Sequence, residues 1–207
     1  MPVDLAELVA PRHSAVLTME MQRGVVGDLS PIPDLAEEVA RTGIVERTAR
    51  LLRAARSAEV RVVHCTAEFR ADRAGSAANC PMLAVMARQP GHLLVGSDAA
   101  RVVTDLGPEP EDLVSARLHG ISPFTGTSLD ATLRNLGVTT VVATGVSANL
   151  GVLGLAIEAV NLGYRVVVAT DAVAGVPRDY AEAVMRNTIP LVATRARVDE
   201  IAAVWTA

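Results

Sequence analysis

The 207-residue sequence contains no lysine: all 19 of its basic residues are arginine. A Walker phosphate loop, a Schiff-base amine and any lysine-dependent triad are excluded by that absence alone. Aromatic residues are scarce too, at 2% of the chain, which leaves few platforms for stacking single-stranded bases. A formal net charge of −4 lacks the positive field that a phosphate backbone requires, so no nucleic acid partner is expected. Two cysteines, Cys65 and Cys80, are too few for a disulfide framework and lack zinc-like spacing, so no metal is expected. No apolar run approaches the roughly 20 uncharged residues of a membrane span. The opening MPVDLAELVAPRHS has neither the basic nor the apolar region of a signal peptide. These absences predict a cytoplasmic protein with no membrane partner, folded as a single domain over residues 1–207.

What is abundant is aliphatic. Half of the residues are hydrophobic, and the mean hydropathy is +0.33. Short β-branched runs predict strands at Ala15–Met19, Arg61–His64, Leu113–Ser115, Thr140–Thr144, Arg165–Thr170 and Pro190–Ala193. Such continuous apolar runs suit parallel strands covered on both faces. Apolar residues at three- and four-residue spacing predict helices over about 34–58, Thr127–Leu136, Ser147–Leu162, Asp179–Asn187 and Val198–Trp205. Gly137 and Gly163 stand where two of these helices should stop. The alternation predicts an α/β three-layer sandwich: a Rossmann-like, mainly parallel sheet of about six strands with helices on both faces. The stretch Ser147–Leu162 is apolar nearly all round. It suits the core, and it also predicts a buried subunit contact in a homo-oligomer.

Ligands of an open parallel sheet bind beyond the carboxyl ends of its strands, at the switch in strand order. The residues to question are therefore Glu20 and Gln22, Cys65 to Glu68 with Arg70, Arg117 and His119, Gly145 to Asn149, and Asp171. No G-x-G-x-x-G follows the first strand, so no dinucleotide cofactor is expected.

Four segments in order carry a family pattern. AVLTMEMQ sits where an apolar strand ends in I-D-M-Q; Ser122-Pro-Phe-Thr-Gly-Thr-Ser-Leu-Asp130 is similar to S-x-F-x-G-T-x-L; TTVVATGVSANLGV follows a strand leading to G-V-x-T-x-x-C-V; and GYRVVVATDAVAG matches the next strand with its D-A ending. Together they resemble the isochorismatase-like superfamily of hydrolases, which includes isochorismatase, nicotinamidase and N-carbamoylsarcosine amidohydrolase. Many members are amidases with an Asp–Lys–Cys triad. Here the resemblance puts Glu20 at the aspartate position and Gly151 at the cysteine position. The lysine position falls on Arg117 counting forward from Leu113, or on Leu118 counting back from Phe124. A thiol mechanism at that site is excluded. Isochorismatases proper resemble this chain in having glycine there, and they cleave a vinyl ether through the carboxylate.

The resemblance thus implies a small-molecule hydrolase with Glu20 as general acid or base. Arg117 and His119 would orient an anionic small-molecule substrate. Gln22, Glu68, Phe124, Ser147, Asn149 and Gly151 would line the substrate site. In the family the peptide after the valine of G-V is cis and helps form an oxyanion site; Val146–Ser147 would be that bond. Two other readings stand beside this one. The chain is a non-catalytic member that binds a small anion, or it is an amidohydrolase with Cys65 as a relocated nucleophile, although a buried structural cysteine is the commoner finding.

Overall fold

Five of the six β-branched runs become strands, and a sixth strand forms just after the last run. In the computed structural model, which describes residues 4–206, these are β1 (Ser14–Met19), β2 (Arg61–Ala67), β3 (Leu113–Arg117), β4 (Thr140–Val146), β5 (Arg165–Ala174) and β6 (Thr194–Ala196). They form one sheet in the order β3-β2-β1-β4-β5-β6, with every pairing parallel. The helices are α1 (Leu5–Leu8), α2 (Pro33–Thr42), α3 (Ile44–Ser57), α4 (Pro81–Ala87), α5 (Leu129–Asn135), α6 (Gly151–Asn161), α7 (Arg178–Asn187), α8 (Ile189–Val192) and α9 (Val198–Trp205). Among the described residues, no helix is long and apolar enough to cross a membrane.

Alternation along each strand divides the interior into two cores. Val16, Val142 and Val167 face α3 and α9, meeting Leu51, Leu52, Ile201 and Trp205. Their neighbours Leu17, Val141 and Val168 face the other way, onto Leu133 of α5, Leu155 of α6 and Ile189 of α8. Each fully buried side chain of this size contributes about 1.5–3 kcal/mol relative to leaving it in water. That two-sided burial explains why the strands carry apolar residues at consecutive positions instead of alternating with polar ones.

Three expectations need correction. The helical stretch over 34–58 is two helices, because Gly43 takes a left-handed conformation (φ 63°) between α2 and α3. The run Pro190–Ala193 is not a strand. Its proline sits in the first turn of α8, where a missing N–H costs nothing, and Leu191 is 80% exposed; the strand follows as Thr194–Ala196. The helix expected from Ser147 starts at Gly151, and the preceding residues form a turn in which the Leu150 and Val152 amides donate to the Ser147 carbonyl.

One polar network is buried between the sheet and α3. His64 on β2 bonds Thr18 of β1 through Nδ1 (2.8 Å) and Asp112 through Nε2 (3.2 Å). Arg56 of α3 donates to both Asp112 oxygens, at 3.1 and 2.6 Å.

Candidate active site

Strands β1 and β4 are neighbours, and the chain leaves them for opposite edges of the sheet. The crevice beyond their carboxyl ends is the switch point of strand order. A cavity of about 120 Å³ lies there, and its walls include Glu20, Arg117, Ser147 and Gly151. Glu20 ends β1 with φ 52°, a left-handed conformation that costs a non-glycine residue about 1–2 kcal/mol. Its own amide is held by the Cys65 carbonyl (2.9 Å). The Glu20 carboxylate accepts from Arg117 Nη2 in an ion pair, with the arginine side chain 5% and the glutamate 21% exposed. Arg117 ends β3 and also donates to the Gly120 carbonyl at 3.2 Å. Leu118 points outward and is 40% exposed, so the side chain that reaches the glutamate is Arg117.

The far wall comes from the turn after β4. Gly145 has φ 104°, and a Cβ there would collide with the Met19 carbonyl, so only glycine lets β4 pass this close to β1. The Val146–Ser147 peptide is cis. The amides of Ser147 and Gly151 make no hydrogen bond among the described residues, and both residues line the cavity. They are donors available to a ligand oxygen. At Gly151 a Cβ would lie 2.7 Å from the Val146 carbonyl and 3.2 Å from the Met19 side chain. The position thus lacks both a nucleophile and the room for one.

Several residues expected at the site lie elsewhere. Gln22 is fully buried and holds three backbone bonds: its side-chain Nε2 donates to the Ala67 (3.0 Å) and Ala100 (2.8 Å) carbonyls, and its Oε1 accepts from the Ala67 amide (2.8 Å). It pins the end of β2 and does not line the cavity. Glu68 turns toward Thr66, which donates to it at 3.1 Å. His119 packs against Gly126, where an added Cβ would meet its Nε2 at 2.7 Å. Asn149 donates to the Val176 carbonyl (3.2 Å). Phe124 is buried in the second core, its ring 5.9 Å from that of Tyr164. Each of these side chains is held by protein partners and lies outside the cavity lining.

Cys65 is also displaced from the chemistry. It is wholly buried in the second core, and burial pushes its thiol up to about 12 despite the nearby Arg117 charge. The nucleophile is the thiolate, and this sulfur is neither ionised nor in the cavity wall. The expectation of a relocated cysteine nucleophile is not met.

Sequence reasoning missed the roof. Phe69, Met82, Leu83, Met86, His92 and Leu93 come from the segment between β2 and β3 and close the cavity from above. His92 is 8% exposed; burial and the Arg73 charge lower its pKa, and Glu20 offsets only part of that. The one available signal was the Met-Leu-x-x-Met spacing of α4, an apolar helical face with no strand run beside it.

A family model described as the isochorismatase domain matches residues 14–200. The chain is 34% identical over 105 residues to YwoC of Bacillus subtilis, an uncharacterized isochorismatase family protein, covering 50% of this chain and 54% of that one. The match thus spans about half the length of that curated relative. Among solved structures, an isochorismatase family protein from Burkholderia thailandensis superposes with a TM-score of 0.78 at 26% identity, covering 95% of this chain and 97% of the other. N-carbamoylsarcosine amidase from Thermoplasma acidophilum superposes with a TM-score of 0.71 at 26% identity, covering 90% and 97%.

Proposed function

The chain belongs to the isochorismatase family, and from that premise we propose that it hydrolyses a small molecule with the Glu20 carboxylate as its acid–base group and without a cysteine nucleophile. The observation that carries this reading is the placement of Glu20. A left-handed backbone ends β1 and leaves its carboxylate in the cavity wall, paired with a buried guanidinium. Strained non-glycine conformations concentrate at functional sites.

The pairing favours the base direction. Beside Arg117, Glu20 is a carboxylate and accepts a proton. Water gives that proton to Glu20 while its oxygen bonds to the carbonyl carbon of the substrate. The electron pair of the C=O bond moves to its oxygen, which the amides of Ser147 and Gly151 stabilise. Collapse re-forms the C=O bond and breaks the bond to the nitrogen or oxygen leaving group, which takes the proton from Glu20. Arg117 positions the carboxylate throughout. Acid cleavage of a vinyl ether is the weaker variant, because Glu20 must carry a proton before that reaction starts.

A second reading is favoured by one observation: Arg117 already donates to Glu20, Gly120 and Thr66. A pair so closed suits a non-catalytic member that only binds. Parallel detection of pyruvate and ammonia on a panel of vinyl ethers and small amides separates the two. Ammonia or pyruvate release that Glu20→Gln abolishes, with the fold intact by circular dichroism, supports the hydrolase. Silence of the folded wild type across the panel supports the binder.

A further inference from the structure

The cavity offers a ligand almost no net charge. Its ionisable side chains are Glu20, Arg117 and His92. Arg117 is already occupied: Nη2 donates to Glu20, Nε to the Gly120 carbonyl at 3.2 Å, and Nη1 to the Thr66 carbonyl at 3.5 Å. His92 is buried, and its lowered pKa leaves the imidazole neutral at neutral pH. The remaining walls are largely apolar, with Leu35, Phe69, Met82, Met86, Ile121 and Leu150 among them. A ligand carboxylate entering this space sheds its water beside the Glu20 carboxylate and finds no free cation among the described residues. Burying an unpaired charge costs several kcal/mol even after relaxation. A neutral ligand avoids that cost, and its apolar body gains from burial.

We infer that the site takes a neutral small molecule with an apolar body and a single polar head, and that it discriminates against the anionic counterpart of the same shape. Arg117 read alone points to an anionic substrate; its closure onto Glu20 reverses that expectation. The inference deepens the hydrolase reading and rests on it for one step only, the seating of the polar head between Glu20 and the amides of Ser147 and Gly151. The charge balance of the walls stands independently.

The test is a titration of wild type, Glu20→Gln and Arg117→Met with three matched pairs, followed by ligand-detected nuclear magnetic resonance at neutral pH. The pairs are isobutyramide and isobutyrate, isovaleramide and isovalerate, and phenylacetamide and phenylacetate. In the wild type at least one amide binds, and each amide that binds does so at least about tenfold more tightly than its carboxylate, a difference of about 1.4 kcal/mol. Glu20→Gln frees the guanidinium and moves the preference toward the carboxylate; Arg117→Met leaves Glu20 unneutralised and widens the gap in favour of the amide. Carboxylates that bind the wild type as well as the amides, or no binding by any amide, would overturn the inference, and so would a preference that stays the same in both variants. Ammonia is followed in parallel. Amide binding without ammonia release keeps the neutral-ligand inference and removes the hydrolytic reading; ammonia release supports both.

Discussion

Strand β3 has a buried arginine–carboxylate pair at each end, and the two differ in what surrounds the carboxylate. At the amino end, Asp112 is saturated. It accepts two bonds from Arg56, one from the Glu109 amide at 3.0 Å and one from His64 at 3.2 Å, and His64 is closed in turn by Thr18. At the carboxyl end, Glu20 has Arg117 as its hydrogen-bond partner and otherwise faces the cavity, on a left-handed backbone. A saturated pair fixes the packing of a strand against a helix. An unsaturated carboxylate held at the edge of a void has lone pairs left for a ligand. An arginine and a carboxylate thus close a strand–helix contact at one end of β3 and leave an acceptor facing a cavity at the other.

Breaking the saturated pair should cost the most. Asp112→Ala removes the carboxylate that closes both Arg56 and His64 and leaves Arg56 only the more exposed Glu109 carboxylate at 3.7 Å, and the expected loss is about 3–5 kcal/mol in urea denaturation. A loss below about 1 kcal/mol would place Asp112 with ordinary surface pairs. The pair also fixes a pH dependence. Burial pushes the Asp112 carboxyl up, but Arg56, the Glu109 amide and His64 together hold it below its ordinary value. A lowered carboxyl pKa contributes stability that is present above the unfolded value, about 3.9, and is lost as pH falls through the folded one. Urea midpoints measured from pH 5 downward should fall below about pH 4 in the wild type, and fall less steeply in Asp112→Asn.

Smaller effects separate the two glycines of α6. Gly151→Ala drives a methyl group into the Val146 carbonyl and Met19, and such overpacking costs about 1–3 kcal/mol. At Gly154 the nearest atom to an added Cβ is Ile121 Cγ2 at 3.8 Å. Gly154→Ala should therefore stabilise by up to about 1 kcal/mol, the helix-propensity difference. Thermal shifts of opposite sign, the larger one at Gly151, would mark Gly151 as crowded and Gly154 as free.

The legible part of the molecule was the part set by local pattern. Val16, Leu17, Val141 and Val142 announce a doubly covered strand by their order alone, and Glu20 stood out as an acid ending such a run, as Asp171 does after Arg165–Thr170. Pro190–Ala193 misled because four apolar residues suit a helical turn as well as a strand, and the proline belongs to the turn. Gln22 and His119 misled differently. A position near a strand end does not reveal that Gln22 bridges to Ala100 or that His119 lies on Gly126. His92 and the methionines of α4 were missed for the converse reason. They reach the cavity from a long irregular segment whose path is set by tertiary contacts, such as the Phe69–Leu94 bridge, that leave no period in the sequence.

The most direct measurement is turnover by Glu20→Gln and Cys65→Ala, side by side with the wild type, on whichever amide or vinyl ether of the panel the wild type consumes. Removing a general base costs about 10²–10⁴-fold in rate. The expected result is a loss of that size in Glu20→Gln and wild-type turnover in Cys65→Ala. Retained activity in Glu20→Gln, with loss in a folded Cys65→Ala, would contradict the assignment of Glu20 and return the chemistry to the buried thiol.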